Sequence, residues 1–278
     1  MSRLIINADD LGINTQRSHG IFIACEQGVV TNVSLLPNGS DSEVAARRAN
    51  ERDIPTGLHI NLTTSTPIAP SDDIETLLTT DGFFLGIDAL ERGIAEGMIE
   101  AVHIEREIRA QIDWFLEHRG QPTHISSHEH VHVHPFIAKI IAPMMDRYGI
   151  SYVRIPSEPT TPFGYEIEKK QQDYIERISH RAEKARSLYT AHNIASTNHF
   201  RGLAYGGNAT MRNLRHTLGR LPDGTIELMV HPGSSNPNGE LFDRDPQRQT
   251  ELSILINPDT VSELKEREVS LCSYADAL

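Results

Sequence analysis

Two neighbouring aspartates, Asp9 and Asp10, end the first apolar run of the chain, Leu4–Ala8. The run predicts a buried β-strand, and Leu11-Gly12 predicts the turn that follows it. In parallel α/β folds, ligands bind at the carboxyl ends of the strands, where this pair lies. Because neighbouring strand residues point to opposite sides, we expect one carboxylate to hold a metal ion and the other to handle a proton. The alternative is a helix cap, for which one Asp would suffice.

A histidine-rich stretch, 122–135, contains five of the chain's 14 histidines, at positions 124, 128, 130, 132 and 134. Residues two apart share a face of an extended chain, so alternating imidazoles can converge on one point. Neutral imidazole is the commonest metal ligand in proteins. One ion cannot use all five rings, so we expect one or two ligands and supporting or substrate-binding roles for the others. For any single ring, a solvated loop or a hydrogen-bonded core histidine is the alternative.

Three further polar residues lie within or at the end of predicted strands: His59, Arg154 and His231. With one Asp and one His of the cluster, His59 would leave open positions on a metal ion, as hydrolytic sites require. His231 could be a fourth ligand, a structural residue or a proton donor. We favour the donor, because a His with a near-neutral pKa suits protonation of an amine leaving group. Arg154 could clamp a substrate, or pair with one of the aspartates.

The elements that must position these residues alternate between strand and helix patterns almost throughout. About seven alternations without a clear linker predict one α/β domain over 1–278, and the length suits an α/β barrel. Pro and Gly break the pattern around 64–103, which we interpret as an irregular insertion. In a parallel barrel the carboxyl ends of the strands share one face. The polar residues named above, the first of which is Asp9 and the last His231, should therefore form one site.

The composition excludes several classes of function. The formal net charge is −12 and no Lys/Arg-rich stripe is present, which argues against nucleic acid and anionic membrane as partners. No apolar run approaches the ~18 residues that span a bilayer, so we expect a cytoplasmic protein. The two cysteines form neither a disulfide framework nor a Cys-based zinc site. No Gly-x-Ser-x-Gly elbow, phosphate-binding P-loop or dinucleotide fingerprint is found.

The motifs resemble, in order and over nearly the whole length, those of the YdjC-like carbohydrate deacetylases, which include the chitooligosaccharide deacetylase type. The matching segments are 6–12, 28–35, 57–63, 122–135 and 231–233. The resemblance implies a distorted TIM-like (β/α) barrel with about seven mainly parallel strands. It also implies a divalent metal ion on Asp10, His59 and His128, with Asp9 as the base and His231 assisting the leaving group. The family often has Asp where this chain has Ser126.

The sequence therefore predicts a metal-dependent hydrolase that removes acetyl groups from N-acetylated sugars, with one divalent ion, Mg²⁺ or Zn²⁺. We expect Arg154, His132 and Asn38 to contact a small saccharide, and a homodimer is one assembly the chain could form. The rival enzymes are another metal-dependent amidohydrolase or a phosphoesterase. The alternative from another class is a sugar-binding or regulatory protein whose catalytic site is degenerate. Ser126, in place of the usual Asp, is the residue that suggests such a site.

Overall fold

Seven strands and nine helices make up the regular structure within the described residues of the computed structural model, which are 2–159, 164–234 and 244–277. The strands are β1 (Ser2–Leu11), β2 (Asn32–Leu35), β3 (Thr56–Ile60), β4 (Ile125–Ser127), β5 (His199–Arg201), β6 (Gly224–Val230) and β7 (Ser270–Leu271). The helices are α1 (Thr15–Gln27), α2 (Ser42–Glu51), α3 (Ile87–Ala95), α4 (Ala101–Arg119), α5 (Pro135–Arg147), α6 (Lys169–Ala191), α7 (Met211–Leu218), α8 (Gln247–Leu255) and α9 (Pro258–Glu266). Parts of the loops expected at 156–165 and up to about Asn238 lie outside the described residues.

The strands form one parallel sheet in the order β4-β3-β2-β1-β6-β5, with β7 paired to β1. Beyond β4, isolated parallel bridges from Val153 to Ile125 and from Tyr152 to Ala195 continue the curl of the sheet. The apolar pattern of the sequence also predicts a strand at 151–155, and in the structure this strand is reduced to these bridges. The result is a curled half-barrel surrounded by helices, and the prediction of an α/β, TIM-like fold is confirmed.

The central strand β1 is apolar on both faces because both faces are covered. Leu4, Ile5 and Ile6 are at most 1% exposed, as expected for a parallel strand that lies between helices and the barrel interior. Helix α4 packs against the sheet through a stripe of fully buried residues at helical spacing: Ile104, Ile108, Ile112 and Phe115. In the sequence, the spacing of Ile108, Ile112 and Phe115 predicts an amphipathic helix over 104–118, and α4 confirms it.

The segment expected to be irregular, 64–103, contains two short 3₁₀ turns and helix α3. Its Ile74 and Leu77 belong to the main hydrophobic core. The buried Glu107 of α4 accepts hydrogen bonds from the backbone N–H groups of Ile68 (3.1 Å) and Ala69 (2.9 Å). These bonds fasten the beginning of the segment to the outside of the barrel. No helix of the described residues is long and apolar enough to cross a membrane.

Candidate functional site

A cleft of about 630 Å³ opens at the carboxyl end of the sheet. Five of the residues singled out in the sequence line it: Asp9, Asp10, His59, His128 and His231. The walls also include residues from the irregular segment and from the region after β5. The shared face predicted from the parallel topology therefore exists.

The end of β1 departs from regular strand geometry at the aspartate pair. Between Ala8 and Leu11, β1 advances three residues while β2 advances two, from Val33 to Leu35, so β1 contains one extra residue. Asp10 adopts a left-handed φ of 66° at this bulge. Bulges next to active sites can redirect a side chain in this way. The expectation that the two carboxylates point to opposite sides was wrong, because it assumed an uninterrupted strand, and both face the cleft.

Asp10 gathers two histidines around one point. Its Oδ1 lies 3.3 Å from His59 Nε2 and 2.9 Å from His128 Nδ1, and the three ligand atoms all lie within 4.8 Å of one another. Metal–ligand distances of about 2.0–2.2 Å place ligand atoms within roughly 4.4 Å of each other, so the cluster is nearly the size that one ion requires. One carboxylate and two imidazoles form a donor set that suits Zn²⁺ and other divalent ions.

The charge of Asp10 suits this arrangement. Burial raises the pKa of Asp10, but the positive charge and hydrogen bond of His128 and the nearby Arg17 outweigh it, so the net pKa is well below its ordinary value. Arg17 Nη1 contacts Asp10 Oδ2 at 3.3 Å. The carboxylate is therefore ionised at neutral pH and can act as a ligand.

Asp9 is held by a guanidinium instead of by histidines. Arg154 donates Nη1 to Asp9 Oδ2 (2.5 Å) and Nη2 to Oδ1 (2.7 Å), and Asn7 Nδ2 donates to Oδ1 at 2.8 Å. Burial raises the pKa of Asp9, but the charge and hydrogen bonds of Arg154, together with the charges of His59 and His231, outweigh this effect, so the pKa is below its ordinary value and the carboxyl is ionised. Asp9 and Asp10 both face the cleft. Their different hydrogen-bonding and ion-pair partners, and not different orientations, give the two carboxylates different chemical roles.

Arg154 itself has no exposed surface with which to contact a substrate, since it is 0% exposed. Its other partner is Glu227 Oε1, which accepts from Nε (2.9 Å) and Nη2 (2.7 Å). Of the two roles considered from the sequence, the ion pair with an aspartate is the one that the structure contains. The substrate clamp is incompatible with this burial.

His231 lies immediately after β6, with Nε2 4.0 Å from Asp9 Oδ2. Its backbone N–H donates to Glu251 Oε2 at 2.6 Å. Burial lowers the pKa of His231 to about 3, although the charges of Asp10 and Asp9 act in the opposite direction. The near-neutral pKa expected from the sequence is therefore not found, because the effect of burial on the ring outweighs that of the two carboxylates. His231 is uncharged at neutral pH.

Comparison with known proteins places this arrangement in a family. The profile of the YdjC-like protein family matches residues 3–266. The chain belongs to the YdjC-like family. It is 33% identical to a carbohydrate deacetylase of Mus musculus over 99% of this chain and 94% of the relative. A carbohydrate deacetylase of Geobacillus stearothermophilus is 31% identical over 98% and 96% of the two chains.

A solved structure from Enterococcus faecalis V583 has the same fold as this YdjC-like chain. The TM-score is 0.78 at 23% identity, and the alignment covers 99% of this chain and 98% of that one. At this identity the likeness concerns the fold alone.

The histidine-rich segment of this YdjC-like chain does not continue as a strand. Strand β4 ends at Ser127, and a 3₁₀ turn follows over His128–Val133, in which Glu129 and His130 have left-handed φ angles of 53° and 57°. Alternating imidazoles therefore do not converge, and only His128 of the five joins the cluster with Asp10 and His59.

Three of the other four histidines of the segment have structural partners. His124 stacks on Tyr274 with ring centroids 3.9 Å apart, and the Nδ1 of His134 accepts from the Phe136 N–H at the start of α5. His132 is 0% exposed and its ring contacts Ser127 Oγ (2.6 Å) and the Arg154 carbonyl (2.9 Å). This burial is incompatible with the substrate contact expected for His132.

Asn38 also lies outside the cleft. Its Nδ2 donates to the Thr66 carbonyl (2.8 Å) and its Oδ1 accepts from Asn61 (3.0 Å). It borders a separate shallow groove that includes Trp114. The expected contact with the substrate in the main cleft is therefore not available to Asn38.

His130 is a cleft residue that the sequence did not single out from its neighbours. It is 6% exposed, and its buried Nδ1 has no hydrogen-bond partner within the described part of the chain. The ring packs edge-on against Phe200 with centroids 6.4 Å apart. A buried polar atom without a partner costs about 1–3 kcal/mol, so a ligand that reached it would recover that cost. No sequence signal distinguishes His130, because its position depends on the left-handed turn.

The cluster makes a direct prediction for metal content. Metal-free protein incubated with Zn²⁺ and desalted should retain about one equivalent, and His59→Ala should retain none, because two remaining ligands hold an ion weakly. Elemental analysis measures the content. His19→Ala, an exposed histidine on α1, is the matched control and should bind like wild type. Full occupancy in His59→Ala would contradict the assignment.

Proposed function

We propose that this YdjC-like protein is a metal-dependent deacetylase that hydrolyses the acetamide of N-acetylated sugars. The observation that carries the proposal is the Asp10-His59-His128 cluster beside an ionised Asp9 in one cleft. Relatives that are 31–33% identical over almost the whole chain are named carbohydrate deacetylases, which supports a saccharide substrate. The cleft volume is in the range usual for small-molecule sites. The choice between Mg²⁺ and Zn²⁺, the cytoplasmic location and the homodimer stay predictions.

A divalent ion held by the cluster would supply Lewis-acid polarisation of the acetyl carbonyl and would acidify a water molecule. The protein would supply the proton transfers. Asp9 accepts a proton from the attacking water, whose oxygen bonds to the acetyl carbon. Because Arg154 keeps the pKa of Asp9 low, the carboxylate does not retain this proton for long.

Two histidines lie near enough to receive the proton, since His231 Nε2 and His59 Nε2 are each 4.0 Å from Asp9 Oδ2. His59 would hold the metal ion through this nitrogen, so we assign the role to His231. Since His231 starts uncharged, it can take the proton and then donate it to the departing nitrogen as the C–N bond breaks. The products are a free amine on the sugar, which carries the transferred water proton, and acetic acid, which keeps the other water proton until it ionises to acetate in solution. In this scheme, His231 is protonated only during turnover.

Acetate release tests the proposal as a whole. We expect the protein to release acetate from at least one of a panel of N-acetylated mono- and disaccharides. EDTA should abolish the release, and added Zn²⁺ or Mg²⁺ should restore it. No release from any acetylated saccharide by metal-loaded protein would refute the deacetylase function, and release unaffected by EDTA would refute the metal dependence.

Asp9→Asn should keep the metal but lose turnover. The amide preserves the shape of the side chain, and its oxygen can still accept from Arg154, but its NH2 group cannot accept the second Arg154 hydrogen bond and the side chain cannot take the water proton. The loss of one positioned acid–base group typically lowers the rate by about 10²–10⁴-fold. We expect a fall of this size in kcat with unchanged metal content, and Asp88→Asn, at an exposed position, should match wild type. Activity of Asp9→Asn within a few-fold of wild type would remove Asp9 from the mechanism.

His231→Ala should affect two substrates differently. An N-acetyl sugar has a poor leaving group that needs a proton, whereas the phenolate of 4-nitrophenyl acetate leaves with little help. The variant should therefore lose far more activity on the amide than on the ester, with its metal content intact. The ratio of kcat/KM for the two substrates is the measurement. Equal losses on both substrates, or loss of the metal, would show that His231 is a structural residue or a ligand.

A further inference from the structure

His59 has both ring nitrogens engaged in the barrel interior. Its Nε2 lies 3.3 Å from Asp10 Oδ1, and its Nδ1 lies 2.8 Å from Ser126 Oγ. A metal ion on Nε2 needs the lone pair of that atom, so the proton of the neutral ring must then be on Nδ1. With no ion, a proton on Nε2 can instead be donated to Asp10. The ring must therefore be able to exist as either tautomer.

The contact with Ser126 continues as a chain of hydrogen bonds into the core. Ser126 Oγ lies 2.9 Å from Ser34 Oγ, which lies 3.2 Å from His124 Nε2. Asn7 Nδ2 also donates to Ser34 Oγ, at 2.9 Å. His59 is 1% exposed and the other four residues are 0% exposed, so water does not reach the chain as an alternative partner.

All hydrogen bonds of this side-chain network can be satisfied with the donors running in either of two directions. A hydroxyl has one donor and can accept two hydrogen bonds. In one direction, His59 Nδ1–H donates to Ser126, Ser126 donates to Ser34, and Ser34 donates to His124 Nε2. In the other, His124 Nε2–H donates to Ser34, Ser34 to Ser126, and Ser126 to His59 Nδ1. Asn7 donates to Ser34 in both.

The far end of the chain can also accommodate both arrangements. Burial lowers the pKa of His124 well below its ordinary value, so the ring is uncharged and has one donor and one acceptor nitrogen. Its Nδ1 lies 3.2 Å from Thr123 Oγ1, a hydroxyl that can donate or accept. A reversal of the whole chain moves one proton across each link. The Nε2 proton of His59 leaves to the cleft, and the half-buried Thr123 hydroxyl passes one proton to His124 Nδ1 and takes one from solvent, so both rings stay uncharged.

We propose that Ser126 is a positioning residue for metal binding, which allows His59 to move its proton from Nε2 to Nδ1 when an ion binds. The inference rests on the proposed metal site. An ionised carboxylate at this position could only accept, which would fix the proton on Nδ1. The hydroxyl instead serves both forms of His59.

Metal affinity is the first measurement. Partners that orient a ligand histidine are typically worth about 10–100-fold in metal affinity, so Ser126→Ala should weaken Zn²⁺ binding by that factor in titration calorimetry of metal-free protein. Thr56→Val is the matched control. It removes a buried hydroxyl from the same strand as His59, one that donates to the Ile54 carbonyl, and it should bind Zn²⁺ within a few-fold of wild type.

The tautomers are the second measurement, and a purely structural role would not change them. Imidazole ¹⁵N–¹H correlation spectra of wild type should show His59 protonated on Nε2 without metal and on Nδ1 with Zn²⁺. His124 should change in concert, from Nε2–H to Nδ1–H. Ser34→Ala breaks the chain but keeps the contact between Ser126 and His59, so the response of His124 should be lost.

The outcomes separate this inference from the proposed function. If wild type does not bind Zn²⁺, the metal site itself fails. If wild type binds and Ser126→Ala binds equally well, or if the His59 and His124 tautomers do not change on binding, the metal site stands and the role of Ser126 is wrong. If Ser126→Ala does not fold, the spectra of wild type and Ser34→Ala decide the question.

Discussion

The buried charge of Arg154 is the constraint on which the site depends. The guanidinium lies inside the barrel, where an unpaired charge cannot be tolerated, so it must be surrounded by acceptors. Asp9 from β1 and Glu227 from β6 supply them, and Tyr274 donates to Glu227 Oε2 at 2.6 Å. The loss of one partner of such a buried pair typically costs about 3–5 kcal/mol. The network therefore fixes the ends of two central strands and the segment after α5 relative to one another.

The same network sets the chemistry of the cleft. Since Arg154 lies behind Asp9, the carboxylate remains ionised although it is buried. Asp10, one residue later, has Arg17 and two histidines as neighbours and is ionised for a different reason. Two adjacent carboxylates can thus keep their charges because each has its own cations. A like-charged pair without this separation would share one proton.

Residue types at strand ends predicted that one of the two aspartates, His59 and a histidine of the cluster would meet, because parallel topology brings these ends together whatever the details of the loops. The choice of Asp10 and His128 came from the resemblance to the YdjC-like family. Side-chain direction was less predictable. The bulge at Asp10 and the turn at His130 both use left-handed backbone conformations, which a periodic pattern cannot represent. Burial of Arg154 was also hidden, since its acceptors Asp9 and Glu227 come from distant parts of the sequence. The pKa of His231 depends on the burial of its ring, which only the assembled structure defines.

The attachment of the irregular segment to Glu107 has a consequence for how such a protein can diversify. Gly86 and Ile87 of this segment form part of the cleft wall, yet the segment is fastened to α4 on the outside of the barrel. The wall and the strand ends that carry the charged groups therefore have separate supports. Substitutions and length changes can accumulate in the wall, as they do in loops generally, while the strand ends stay in place. The fold thus separates the part that can vary with the shape of the ligand from the part that must remain constant for the chemistry.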